Sequence, residues 1–154
     1  MQDVGRTVAA YRQWIQPLVE KYPNLRLGAP AVTNGVRSPN GTLMGIPYLK
    51  AFLEGCQDCK VDFVVVHWYD NANNVEYFKN HMREVHETSG GKSIWITEFG
   101  VTGGDGEAFL REVLPWMDQQ EWICRYAYHW AAKGFMINAT GNGLTGLCHT
   151  FATI

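Results

Sequence analysis

A chain of 154 residues with 46% hydrophobic side chains has the material for a packed core and is not a disordered segment. Charged residues make up only 18% and the formal net charge is −2, which excludes an electrostatic case for nucleic acid or an anionic membrane as partner. No apolar run approaches the length of a membrane span, and the amino terminus carries no basic-then-apolar leader.

Asp3 to Tyr22 is expected as an amphipathic helix, with Asp3 as N-cap and Val4, Val8, Tyr11, Ile15, Leu18 and Val19 as its apolar stripe. Pro23-Asn24 ends it. Leu25 to Val32 is expected as a short strand, and the Asn-, Gly-, Ser- and Pro-rich stretch Thr33 to Gly45 as a loop. Pro47 opens a second helix, with Tyr48, Leu49, Phe52, Leu53 and Cys56 inward. Val61 to Tyr69 is a near-continuous apolar run, the pattern of a parallel strand covered on both faces.

A helix follows over Val75 to Thr88, with Val75, Phe78, Met82 and Val85 inward, ended by Ser89-Gly90-Gly91. Ser93 to Gly100 reads as a strand that closes on a carboxylate. Strict alternation puts Ile94, Ile96 and Glu98 on one face and Trp95, Thr97 and Phe99 on the other. Val101 to Gly106 is expected as a flexible loop. It holds neither a dinucleotide nor a Walker pattern, so no phosphate cradle is expected. A helix spans Glu107 to Gln119, with Pro115 placed to kink its last turn. Trp122 to Ala131 is a last strand, and Leu144 to Phe151 a final helical turn.

Strand and helix alternate, the order of a parallel sheet with helical crossovers. The strands begin at intervals of roughly 30–36 residues, close to the ~31 per unit of an eight-unit barrel of roughly 250 residues. The fold class expected is therefore α/β, a partial TIM (β/α) barrel of four parallel strands, with residues 1–154 as one domain. Four strands do not close an eight-stranded barrel. Their two open edges invite self-association.

In such a sheet the chemistry collects at the carboxyl ends of the strands. In turn these ends supply Asn34; His67, Trp68 and Tyr69; Glu98; and Tyr128, His129 and Trp130. One carboxylate among His, Tyr, Trp and Asn suits a carbohydrate. Polar groups bind hydroxyls, aromatic faces stack on rings, and the carboxylate meets positive charge developing at the anomeric carbon. Tyr126, Tyr128 and Trp130 share a face by alternation. Cys56 and Cys59 form a CxxC, but Cys124 and Cys148 do not form a second one. A disulfide or buried thiols fit better than zinc, and no metal or cofactor is expected. Asn40-Gly41-Thr42 and Asn138-Ala139-Thr140 are glycosylation triplets, a weak pointer to secretion.

Trp95-Ile96-Thr97-Glu98-Phe99-Gly100, with Val66-His67-Trp68-Tyr69, Leu27-Gly28-Ala29-Pro30-Ala31-Val32-Thr33-Asn34 and Arg125-Tyr126-Ala127-Tyr128, resembles the alkali-sensitive-linkage-like glycosyl hydrolases of glycoside hydrolase family 128. These are β-1,3-glucan-cleaving enzymes. The resemblance covers nearly the whole chain and aligns it with the carboxyl-terminal half of the barrel. It implies a retaining hydrolase with Glu98 as nucleophile on the seventh strand, and with His67 and Tyr69 lining sugar subsites from the sixth. Tyr126-Ala127-Tyr128-His129 departs from the family's Tyr-Ala-Trp-Phe at the eighth strand, which touches one stacking contact.

The family's acid/base is the Glu of an Asn-Glu-Pro motif at the end of the fourth strand, and no Asn-Glu-Pro occurs in these residues. Asp70, Glu54, Glu76, Asp105 and Glu107 do not match it. Retaining hydrolysis needs two carboxyl groups, so little or no turnover is expected of this chain alone. The partner implied is a β-glucan, and the location implied is extracellular or the cell wall. The alternative function is a non-catalytic glucan-binding protein that uses Trp68, Tyr69, Tyr128 and Trp130 as a sugar platform.

Overall fold

The computed structural model describes residues 3–154; of the expected domain, residues 1 and 2 lie outside the described range. Strands β1 (Phe63–Asn71), β2 (Ser93–Gly103) and β3 (Ile123–Tyr128) lie side by side in chain order, all parallel. Around them run helices α1 (Val4–Ala10), α2 (Leu18–Lys21), α3 (Gly45–Gly55), α4 (Val75–Thr88), α5 (Gly106–Asp118) and α6 (Gly146–Thr153).

Among the described residues the sheet has three continuous strands, not four. Leu27 to Val32 does run parallel beside β1, but as an interrupted ladder with isolated bridges at Gly28–Phe63 and Val32–Val66. Asp62 N donates to Leu27 O at 2.7 Å and Ala29 N to Phe63 O at 2.9 Å. Pairing resumes where Val32 N donates to Val65 O at 3.1 Å and His67 N to Val32 O at 2.8 Å. Pro30 sits in the gap, where one extra residue separates the donors: Ala29 and Val32, rather than Ala29 and Ala31, give their N–H to β1.

The first helix is also broken. Asp3 caps α1 as expected, its carboxylate accepting from Arg6 N. Tyr11–Ile15 then winds into a turn of π-helix, with Gln16 N donating to Tyr11 O at 2.9 Å, before α2 resumes beyond Pro17. A proline at position 17 cannot donate to the carbonyl four residues back and crowds it, so the chain widens by one residue. Pro47 falls in the first turn of α3, where its missing N–H costs nothing. Helix α5 runs on through Pro115 to Asp118, and Asp105 caps it by accepting from Ala108 N.

Helix α4 has the expected bounds, and Phe78, Met82 and Val85 are fully buried. Val64, Val66 and Trp68 of β1 and Ile94, Ile96 and Phe99 of β2 meet this helical layer and are also fully buried. Strand β2 extends three residues past Gly100, because Asp70 pairs with Val101 and Asn71 with Gly103. The expected flexible loop is thus largely strand. Cys56 and Cys59 form a disulfide at the end of α3, leaving Cys124 exposed and Cys148 half-buried.

The register of β2 decides where the carboxylate points. Val66 pairs with Ile96, but the next residue, His67, pairs with Glu98. On the other side Ile96 pairs with Tyr126 and Phe99 with Tyr128, again one residue long on β2. Thr97 is the extra residue of a β-bulge, which turns the side chains that follow it. Strict alternation therefore fails here. Phe99 joins Ile94 and Ile96 on the helical side, and Glu98 stands with Trp95 and Thr97 on the open face of the sheet.

Candidate active site

Glu98 is the centre of a polar cluster on that open face. The Tyr69 hydroxyl donates to Glu98 Oε2 at 2.9 Å, and His67 Nδ1 lies 3.4 Å from the same oxygen. His67 Nε2 is 2.9 Å from Thr97 Oγ1, so the bulge residue and the carboxylate hold the two nitrogens of one ring. The Glu98 side chain stays 39% exposed, open enough to be reached by a ligand. Alternation along β1 brings His67 and Tyr69 to this face together. Burial, reinforced by the hydrogen bond to Glu98, pushes the Tyr69 phenol well above its ordinary range, so Tyr69 is a donor at every physiological pH.

Asn34 holds the site from the side. Its Oδ1 accepts from Tyr69 N at 3.2 Å and its Nδ2 donates to Tyr69 O at 3.1 Å. One side-chain amide thus does for Tyr69 what a neighbouring strand would do, beyond the point where the Leu27–Val32 ladder ends. The Tyr77 hydroxyl, from α4, donates to Asn34 O at 3.1 Å. Tyr77 is absent from the sequence expectation; a helix aromatic carries no signal that its hydroxyl reaches a strand end.

On the far side, the His129 ring meets Tyr69 edge-on, with centroids 5.6 Å apart, and stacks parallel on Trp130 at 5.0 Å. His129 N donates to Phe99 O at 2.8 Å, which carries the sheet pairing one residue beyond β3. Gly100 leaves room for this closeness: a Cβ there would stand 3.1 Å from His129 O and 3.4 Å from the Tyr69 ring. Trp130 is 51% exposed.

Two expected sugar contacts are corrected. Trp68 is fully buried on the helical side, stacked on Phe109 with centroids 5.5 Å apart and edge-on to Phe78 at 5.1 Å. It alternates with His67 and Tyr69, so it cannot share their face. Tyr128 is buried against Phe99 and Phe151, and its hydroxyl accepts from Val101 N at 3.3 Å. Tyr126 packs on the same Phe99 and Phe151, so Tyr126 and Tyr128 do share a face, but it is the face away from Glu98. Trp130 does not share it: its ring lies on His129, which faces Tyr69. The structure thus brings together Glu98, Tyr69, His67, Asn34 and Thr97, with His129 and Trp130 beside them.

A family model described as glycosyl hydrolase catalytic core matches residues 3–151. Alkali-sensitive linkage protein 1 of Schizosaccharomyces pombe is 32% identical over 136 residues, which take in 82% of this chain and 23% of that protein. Among solved structures, a GH128 (subgroup III) curdlan-specific exo-β-1,3-glucanase from Blastomyces gilchristii, in complex with glucose, is 32% identical with a TM-score of 0.80, over 99% of this chain and 63% of that one. A GH128 (subgroup IV) endo-β-1,3-glucanase from Lentinula edodes has a TM-score of 0.79 at 18% identity, over 97% and 63% respectively, a likeness that shows the fold. The chain thus spans less than two thirds of the relatives it matches.

Proposed function

We propose, from the premise that this chain belongs to the glycosyl hydrolase catalytic core family, that it carries the nucleophile side of a retaining β-1,3-glucan hydrolase, with Glu98 as the nucleophile. The observation that carries the reading is the 2.9 Å hydrogen bond from Tyr69 to Glu98 Oε2, with His67 Nδ1 3.4 Å from the same atom. A carboxylate so held is fixed in direction for attack, while its partial exposure leaves a path to an anomeric carbon. Tyr69 and His67 would line the subsite around it, Asn34 would fix Tyr69, and Trp130 would offer a sugar its exposed face.

Residues 1–154 would work as one catalytic-type unit that lacks a proton donor. No Asn-Glu-Pro stands in the sequence, and Asp70, next to Tyr69 on β1, alternates away from it. General acid assistance is worth about 10²–10⁴-fold, so turnover of an unactivated glucan would be very low. The Cys56–Cys59 disulfide favours an oxidising location, outside the cell or in its wall.

The test uses a dinitrophenyl β-glucoside, whose leaving group needs no proton. The chain should release dinitrophenolate slowly. Azide should speed turnover and give a β-glycosyl azide, and Glu98→Gln should abolish both. Release that survives Glu98→Gln would refute the assignment.

The exposed Trp130 ring, stacked on His129, favours a second reading: glucan binding without hydrolysis. Retention on insoluble curdlan that persists in Glu98→Gln and is lost in Trp130→Ala would support it; no retention at all would remove it.

A further inference from the structure

Both glycosylation triplets reach the surface, but the fold treats their asparagines differently. Asn40 stands at the tip of a short hairpin within the Thr33–Gly45 loop. Arg37 bridges antiparallel to Leu43, and Met44 N donates to Val36 O at 2.9 Å. Ser38 N donates to Thr42 O and Gly41 N to Ser38 O, both at 2.9 Å. Pro39, Asn40 and Gly41 are exposed. Gly41 takes a φ of +80°, and the space beside it is open: a Cβ there would meet nothing within 4 Å. Asn40 Oδ1 accepts from the Thr42 hydroxyl at 2.9 Å and from Ser38 Oγ, while Nδ2 donates to nothing among the described residues. The side-chain carbonyl thus fixes the residue, and the amide nitrogen is left to solvent.

Asn138 is half-buried in the loop after β3. Its Nδ2 donates to Asn142 Oδ1 at 3.0 Å. Its Oδ1 accepts from Gly141 N at 2.8 Å and from Asn142 N at 3.2 Å. Gly143 lies close beside the same nitrogen: a Cβ there would stand 3.0 Å from Nδ2. Asn138 N in turn donates to Gly143 O at 2.9 Å, which holds that backbone in place. A sugar on Asn138 Nδ2 would have to displace Asn142 or Gly143.

We propose that Asn40 is a glycan-bearing site of the folded protein and that Asn138 stays unmodified in it. The reaction class is transfer of an oligosaccharide from a polyprenyl diphosphate to the side-chain amide of an Asn-X-Thr triplet. Asn40 Nδ2 forms a bond to the anomeric carbon of the first sugar, and the bond from that carbon to the diphosphate oxygen breaks. The diphosphate leaves with the electron pair, and one Nδ2 proton passes to a base of the transferase. Transfer takes place on an extended segment, in which both triplets can be read, so the folded structure selects by what it can carry. A chain occupied at Asn40 folds with every bond of the hairpin kept, because Oδ1 makes the local contacts. A chain occupied at Asn138 gives up packing within its loop, and such chains are retained rather than secreted. The proposal rests on the oxidising, extracellular location proposed above and not on the role of Glu98.

The test fuses the full chain to a secretory leader and expresses it in a eukaryotic host, so that a missing glycan cannot be put down to failure of entry. Peptide N-glycosidase in heavy-oxygen water then marks each occupied asparagine for peptide mapping. The secreted chain should carry the mark at Asn40 and none at Asn138. Asn138→Gln should leave the secreted glycoform unchanged, whereas Thr42→Ala should lose the glycan and Thr42→Ser should keep it. If a variant is not secreted, the pool retained in the cell is mapped instead, where the mark at Asn40 must still be lost in Thr42→Ala. A secreted chain without a glycan, or one marked at Asn138, would overturn the proposal. Where the unfused chain resides in its own cells is a separate measurement, so failure of the location reading and failure of the glycan assignment are told apart.

Discussion

The phenolic oxygen of Tyr69 stands 2.9 Å from Glu98 Oε2 and donates its proton to it from the adjacent strand. Burial is the larger reason that this phenol ionises above its ordinary value near 10, and the carboxylate adds to it. Glu98→Gln removes the charge but not the burial. The Tyr69 titration should therefore move down towards the ordinary value without reaching it, as followed by NMR of ring-labelled tyrosine. An unchanged titration would mean that the two groups are not coupled.

The bulge at Thr97 is what turns Glu98 to the open face. Deleting Thr97 should restore strict alternation with Glu98 directly after Ile96, still on the open face opposite His67, and Phe99 still on the helical side. The deletion should therefore fold and lower the urea midpoint only modestly, and loss of folding would contradict the placement of the bulge at Thr97. Thr97→Ala, which keeps the bulge and loses the bond to His67, should cost only about 1 kcal/mol.

The two tryptophans separate packing from recognition. Trp68→Ala should cost about 3–5 kcal/mol, because it empties a fully buried site between Phe78 and Phe109. Trp130→Ala, at a half-exposed position, should change stability by less than about 0.5 kcal/mol. Urea unfolding of both variants checks this, and the reverse order would contradict the assignment of faces.

His81 is buried on α4 with its Nε2 unpartnered, and burial brings its pKa from 6.5 down to about 4. The unfolded chain accepts a proton that the folded one refuses. Stability is thus unaffected above pH 6.5 and falls as the pH drops from 6.5 towards 4, by about 3 kcal/mol in all. His81→Leu should flatten that slope in denaturant titrations across this window. A slope that persists would assign it to other groups.

Much of this was legible from residue pattern because local signals and packing agree. The stripe of Phe78, Met82 and Val85 gives α4 its bounds, and Asp3 caps α1 as its position suggests. The departures share one cause: a single residue that resets the backbone phase. Pro17 opens the π turn, one extra residue at Pro30 interrupts the outer ladder, and Thr97 inserts one residue into β2. A period of two carries no mark of where it is reset, so the face of Glu98 could not be read from alternation. Trp68 stands opposite His67 and Tyr69 by alternation alone, so its face is legible in the sequence once theirs is fixed. For Tyr128 an aromatic at a strand end looks the same whether helices cover its face or leave it open, and the packing on Phe151 decides. The cluster of His67, Tyr69 and Glu98 was legible as types at neighbouring strand ends; the support from Asn34 to the Tyr69 backbone was not, because a side-chain amide in a loop does not declare which strand it will bridge.

The most direct measurement is covalent trapping with an activated 2-deoxy-2-fluoro-β-glucoside, followed by peptide mapping. Such a reagent needs no proton donor to glycosylate the enzyme and slows the release step. The account predicts one glycosyl group per chain, on the peptide that carries Ser93 to Gly100 and at Glu98, absent in Glu98→Gln. A label on Asp70 or any other carboxylate, or no label on the folded chain, would contradict it.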